Sequence, residues 1–141
     1  MIVLDTNVVS ELMRAEPEPR VIAWVDDLDA SETCITTITA AELLHGVALL
    51  PIGRRRTRLA ETVQTVLDDD FGERVLSFDL VAAAHYADIA AHRSHLGRPI
   101  SHADAQIAAV CRSHAATLAT RNVADFDETG LTIVDPWAPP T

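Results

Sequence analysis

The sequence predicts a three-layer α/β/α fold with a mostly parallel central sheet, and three observations carry that reading. Short aliphatic and β-branched runs alternate with longer Ala- and Leu-rich stretches along the whole chain, the pattern of strands joined by crossover helices. Of the 141 residues 48% are apolar but only 4% are aromatic, so the core is expected to pack small side chains, helix against sheet. No Gly-, Pro- or Ser-rich linker and no internal repeat divides the chain, so residues 1–141 are expected to form one domain.

Ile2 to Leu4 reads as a buried strand, followed by a helix from about Val8 to Arg14 that Pro17 and Pro19 break. Pro19 suits the first turn of the next helix, which carries Val21, Ile22, Trp24, Val25 and Leu28. Thr33 to Ile38 is β-branched and strand-like. Thr39 begins a helix with Leu43, Leu44, Val47 and Leu50 on one face, and Pro51 stops it. Residues 53–70 form a second long helix, basic at its start and acidic at its end. That opposes the helix dipole, so its charges suit either a partner or a solvated face. Val75 to Phe78 is a short strand, and Asp79 caps an Ala-rich helix to about His95. After the Gly97-Arg98-Pro99 loop, Ser101 to Ala115 is helical and Thr117 to Thr120 is a strand. Asn122 to Phe126 forms a single turn, Leu131 to Val134 the last strand, and residues 135–141 an extended tail.

Charge and composition remove whole classes of function. The net charge is −10, which disfavours nonspecific attraction to nucleic acid or anionic membranes. Any nucleic-acid contact must be local. All 11 basic residues are Arg, so there is no P-loop lysine and no Schiff base. The scattered glycines make no dinucleotide fingerprint. Cys34 and Cys111 are too few and too far apart for a disulfide framework and read as reduced thiols. The N-terminus lacks a signal-peptide pattern, and no run reaches the ~18 to 20 apolar residues of a membrane span. A soluble, cytoplasmic protein is expected.

Four carboxylates occupy equivalent places. Asp5, Glu42, Asp104 and Asp125 each lie just past a strand-like run or in the first turn of the helix after it. In an open α/β sheet these places converge at the carboxyl ends of the strands, where such folds bind ligands. Four carboxylates meeting there raise one another's pKa unless a counter-charge is present. For an all-oxygen pocket, one or two hard divalent cations such as Mg2+ or Mn2+ supply it. Taken singly, each acid also has a helix-capping reading: Thr39-Ala-Ala-Glu42 and Ser101-His-Ala-Asp104 match the capping box, Asn122-Val-Ala-Asp125 matches it loosely, and Asp5 precedes a helix. Gly46, one turn after Glu42, either leaves room for a metal or phosphate or packs closely against another helix. His85, His92 and His95 lie on neighbouring turns and read as a solvated face more than a zinc site. Arg54, Arg55, Arg56 and Arg58 form the basic patch, suited to RNA phosphates, a partner protein or solvent. Trp24 and Trp137 read as core or dimer anchors.

These segments carry a family resemblance over essentially the whole chain. Val3-Leu4-Asp5-Thr6-Asn7-Val8 resembles the opening of PIN domains. Thr39-Ala-Ala-Glu42-Leu-Leu-His-Gly46 resembles their E-L-x-x-G segment, and Asp104-Ala-Gln-Ile-Ala-Ala109 their D-x-x-I-A-A helix. Thr120-Arg-Asn122-Val-Ala-Asp125-Phe126 resembles their closing T-x-N-x-x-D-F element. The nearest flavour is the VapC toxin group with its FitB-like branch. The resemblance implies that Asp5, Glu42 and Asp104 bind metal, with Asp125 as the fourth acid and Asn122 its neutral neighbour. It implies that Thr6 and Thr120 brace the pocket, and Arg121 lies close enough in sequence to reach a scissile phosphate or pair with a nearby Asp. It further implies a Mg2+- or Mn2+-dependent endoribonuclease, homodimeric, paired with a VapB-like antitoxin and acting on RNA through activated water. Two rivals remain open at this stage. A haloacid-dehalogenase-like phosphatase also begins from an Asp after the first strand, but it wants a second Asp where Asn7 stands and a Lys. A non-catalytic module would use the acidic pocket to bind a partner's Arg or Lys.

Overall fold

The computed structural model describes residues 1–139; Pro140 and Thr141, the end of the predicted tail, lie outside the described residues. Five strands make the sheet: β1 (Ile2–Leu4), β2 (Thr33–Thr36), β3 (Val75–Leu76), β4 (Thr117–Ala119) and β5 (Ile133–Val134). Their order is β3-β2-β1-β4-β5, and every neighbouring pair runs parallel. Parallel neighbours need crossovers, which are built from α1 (Thr6–Leu12), α2 (Pro19–Asp26), α3 (Thr37–Leu49), α4 (Arg54–Thr65), α5 (Leu80–His95) and α6 (His102–Ser113).

Successive strand residues point to opposite faces, and the core divides accordingly. Val3, Cys34 and Leu118 face Ala82, Ile89, Ile107, Ala108 and Phe126, so α5 and α6 cover that side. Leu4, Ile35 and Ala119 face Val8, Val21, Leu43 and Val63, so α1 to α4 cover the other. The strand order reverses at β1: the chain runs outward to β2 and β3, then crosses back to β4 and β5. Such a switch point is where open α/β sheets leave a crevice at the carboxyl edge.

Several expected boundaries move. Helix α1 starts at Thr6 rather than Val8 because Asp5 caps it, accepting from the Thr6 N–H at 2.8 Å. Helix α3 starts at Thr37, capped by Thr36, whose hydroxyl accepts from the Thr39 N–H at 3.2 Å. Within α3, Leu43 is buried, but Leu44 is 49% exposed and does not share the apolar face expected of it. The long helix over residues 53–70 divides: α4 ends at Thr65 and Val66–Phe71 continues as a π-helical turn. The wider turn brings Val66, Leu67 and Phe71 onto the sheet together. The tail is turned rather than extended, because the Asp135 carboxylate accepts from the Trp137 N–H at 2.9 Å and its carbonyl from the Ala138 N–H at 3.1 Å.

Cys34 and Cys111 are free and buried. Burial, reinforced by the charge of Asp5, pushes the Cys111 thiol up to about 12, and burial likewise raises that of Cys34. The thiolate is the reactive form, so native protein at pH ~8 is expected to show no thiol reactive to a maleimide, and both should react after unfolding. Rapid labelling of the native protein would overturn this. Among the described residues no helix is long and apolar enough to cross a membrane.

Candidate functional site

Asp5 sits where β1 ends at the switch point. Its backbone N–H donates to the Ala119 carbonyl at 2.9 Å, continuing the β1–β4 ladder and fixing the residue between the two strands. The side chain is 5% exposed. One carboxylate oxygen accepts from the Thr6 N–H at 2.8 Å; the other accepts from the Thr120 hydroxyl at 2.7 Å and the Asn7 amide at 3.3 Å. Desolvation nevertheless wins: burial, helped by the charge of Glu42, raises this carboxyl above its ordinary 3.8 against the pull of those three donors.

Glu42 is not the partner in a capping box. With Thr36 as the cap of α3, Glu42 falls in the second turn and is exposed. Its carboxylate accepts from the Thr6 hydroxyl at 2.8 Å, and that hydroxyl lies 3.0 Å from the hydroxyl of Thr39. Thr6 has one proton to give, so with Glu42 as its acceptor the second bond is donated by Thr39. The result links α1 to α3 across the crevice.

Asp104 keeps its local role as well. Ser101 caps α6, its hydroxyl accepting from the Asp104 N–H at 3.2 Å. The carboxylate is half-buried. Desolvation raises its pKa, the Ser101 contact opposes this, the charges of Asp5 and Asp125 raise it further, and Arg93 lowers it. Asp125 lies on the 3-10 turn Val123–Phe126, which Phe126 anchors at 1% exposure. Asn122 makes no side-chain capping bond to that turn, so the loose capping reading fails there. Its backbone N–H instead donates to the Thr120 hydroxyl at 3.1 Å.

Charge repulsion therefore runs from Glu42 to Asp5, from Asp5 to Asp104 and from Asp104 to Asp125. The fold brings together four acids that lie far apart in sequence. Among the described residues no three His, Cys, Asp or Glu side chains close around an ion-sized space as they stand. The oxygens of Asp5, and one of Glu42, are held by hydroxyl and N–H donors, while Glu42 and Asp125 are exposed and not fixed by packing. In kind the donors fit a hard divalent cation: all are carboxylate oxygens, two of them sit in an environment that resists their negative charge, and no thiol or imidazole competes.

Two residues at this site were not read from the sequence as functional. Arg93 is 5% exposed. It donates from Nε to the Arg98 carbonyl at 2.7 Å and from one terminal nitrogen to the carbonyls of Asp125 and Asp127 at 2.8 and 2.9 Å. It pins the turn that carries Asp125 and sets a positive charge behind Asp104. The signal was present in principle, since Arg93 follows Ile89 by four residues on the buried stripe of α5. Asn7 was weighed only as an absent second Asp. Its amide donates to Asp5 and, at 3.2 Å, to Thr120, while its oxygen accepts from the Arg121 N–H at 3.2 Å.

Other expectations change. The Arg121 guanidinium neither faces the acids nor pairs with an Asp; it lies over the Trp137 ring, 5.0 Å from the centroid. Trp24 and Trp137 pack half-buried against the core on the α1 to α4 side. His92 pairs with Glu128 at 3.1 Å, and the three histidines of α5 form no metal cluster among the described residues. A Cβ at Gly46 would meet nothing within 4 Å, so close packing does not explain this glycine. It lines an open groove of about 270 Å³ with Thr6, Glu42, Leu43 and Val63. Arg54, Arg55, Arg56 and Arg58 enter no ion pair among the described residues.

Comparison with known proteins adds family evidence to this geometry. The PIN domain family profile matches residues 2–130. A VapC ribonuclease of Sinorhizobium fredii is 42% identical over 139 residues, covering 99% of both chains. Toxin FitB of Neisseria gonorrhoeae is 40% identical over 137 residues, covering 97% of this chain and 99% of that one. The crystal structure of FitAcB from Neisseria gonorrhoeae superposes with a TM-score of 0.92 at 40% identity, covering 99% of this chain and 100% of that one. With the acids at the switch point and a match along nearly its whole length, the chain belongs to the PIN domain family.

Proposed function

We propose that this protein is a metal-dependent endoribonuclease and the toxin of a toxin–antitoxin pair. The observation that carries the proposal is the line of mutually repelling carboxylates at the sheet's switch point, with the pKa of Asp5 and Asp104 raised. The names of the relatives support it. Asp5, Glu42, Asp104 and Asp125 would hold one or two Mg2+ or Mn2+ ions. When bound, such ions supply Lewis acidity, making water a nucleophile at neutral pH and offsetting charge on the phosphodiester. The chain's own contribution is placement. Thr120, Asn7 and the Thr6 N–H orient Asp5, the Thr6 hydroxyl steers Glu42, and Arg93 fixes the turn of Asp125. No side chain is needed as nucleophile.

The test is cleavage of RNA in Mn2+ or Mg2+ with analysis of the ends. Products with 5′-phosphate and 3′-hydroxyl ends are expected, and EDTA should stop the reaction. Products with 2′,3′-cyclic phosphate ends would mean attack by the RNA's own 2′-hydroxyl and overturn the water mechanism.

An antitoxin would inhibit by setting a basic side chain, best an Arg, against the acids. A guanidinium's fork of donors suits paired carboxylates. Antitoxin and Mg2+ should then exclude one another by reciprocal linkage. Antitoxin affinity should fall as Mg2+ rises at fixed ionic strength; a flat response at saturating Mg2+ would place the inhibitory contact elsewhere.

A further inference from the structure

Tyr86 on α5 and His102, the first residue of α6, are joined edge to edge. The Tyr86 oxygen lies 2.6 Å from Nδ1 of His102. Their planes differ by 15° and their centroids are 6.4 Å apart. That separation is the length of two rings laid end to end through one hydrogen bond, not the spacing of stacked faces. In either tautomer of His102 the bond holds both rings close to a common plane. Phe78 meets Tyr86 at 89° with centroids 6.0 Å apart and so sets the tilt of the tyrosine ring. His102 is exposed, and Tyr86 and Phe78 are half-buried. The structure thus carries a braced, nearly flat plate longer than a single ring. It abuts the acidic site, because His102 and Asp104 share the first turn of α6.

We propose that the Tyr86–His102 plate is a nucleobase subsite, stacking a base of the RNA next to the phosphodiester presented to Asp104. The inference rests on the ribonuclease reading and adds to it where the substrate is held. A chain of net charge −10 gains little from diffuse attraction to phosphates. Affinity must come from contacts that ignore phosphate charge, and stacking on an aromatic face is such a contact. Two residues of one helical turn separate the plate from Asp104, a distance comparable to one nucleotide step. A purine covers both rings and a pyrimidine covers one, so the subsite favours a purine.

The test is binding of end-labelled single-stranded RNA of about twelve nucleotides, purine-rich or pyrimidine-rich, by fluorescence anisotropy. It is run in an Asp5→Asn background, where cleavage is expected to be lost, with inorganic polyphosphate as the base-free competitor. His102→Ala should weaken purine-rich RNA by about tenfold and the pyrimidine-rich strand by less, with polyphosphate binding unchanged. His102→Phe restores a flat ring and should recover most of the loss, which a merely structural role for His102 would not give. Tyr86→Phe keeps the ring but breaks the bond and should fall between. Unchanged RNA affinity in His102→Ala, equal loss for RNA and polyphosphate, or no recovery in His102→Phe would each overturn the subsite. Cleavage by the otherwise unaltered protein separates the two failures. If it cleaves RNA and His102→Ala leaves affinity unchanged, the plate alone is wrong; if it neither cleaves nor binds RNA, the ribonuclease reading falls and takes the plate with it.

Discussion

Asp104→Asn is expected to weaken Mn2+ binding by about a hundredfold or more, to abolish RNA cleavage, and yet to raise the melting temperature in EDTA. All three follow from the position of this carboxylate. Asp104 is half-buried between the charges of Asp5 and Asp125, and its pKa is raised in the fold. A carboxyl with a raised folded pKa favours the native state when protonated. That contribution is complete below the ordinary value of 3.8 and is lost as pH climbs through the raised value. At neutral pH the ionised group therefore destabilises the fold, and a neutral amide of the same shape relieves it. The gap in melting temperature between variant and parent should widen as pH rises above that range. Asp5→Asn should lose Mn2+ binding similarly but gain less stability. An amide there presents N–H donors where Asp5 now accepts from Thr6, Thr120 and Asn7. Calorimetric titration with Mn2+ and thermal melts across a pH series check both. Unchanged Mn2+ affinity in the two variants would sink the shared metal site. A destabilised Asp104→Asn in EDTA would make its bond to Ser101 the main role of that end of α6.

Arg93→Met should cost about 3 to 5 kcal/mol of stability, roughly 10 °C or more in melting temperature for a domain of this size. The methionine fills much of the same volume but leaves the carbonyls of Arg98, Asp125 and Asp127 without their donor. Arg93→Lys should recover little, since one ammonium cannot replace the guanidinium fork that spans those segments. The variant should also let the turn of Asp125 move, so Mn2+ affinity should fall although no carboxylate has been removed. Melts of both variants, with Mn2+ titration of whichever remains folded, decide it. An Arg93→Met protein as stable as the parent would mean that water serves those carbonyls equally well.

The alternating pattern, the two-sided core and the strand-end placement of Asp5, Glu42, Asp104 and Asp125 were legible in the sequence because each depends on neighbours a few residues away. Ile2 to Leu4 is apolar throughout, as a strand buried on both faces must be, and Asp5 stops it. Ser101 and Asp79 cap helices where short polar residues precede Ala-rich runs. Local rules misjudged the cap of α3. Thr36, Thr37 and Thr39 all resemble helix starts, and which one serves depends on where β2 ends against β1 and β3. They also missed the π-helical turn, which the sheet imposes on Val66, Leu67 and Phe71.

What the sequence determined by itself is the type of fold and the four acids, together with the hydroxyls Thr6 and Thr120 beside them. The tertiary structure decided what each acid leans on. Thr120 reaches Asp5 across 115 positions because β4 returns to pair with β1. Thr6 reaches Glu42 across 36 positions because α1 packs on α3, and Arg93 reaches Asp125 across 32 because α5 passes beneath the last 3-10 turn. Side-chain periodicity records which face an element buries; it does not record which distant element arrives to cover it, and the hydrogen bonds that orient these carboxylates come from those distant elements.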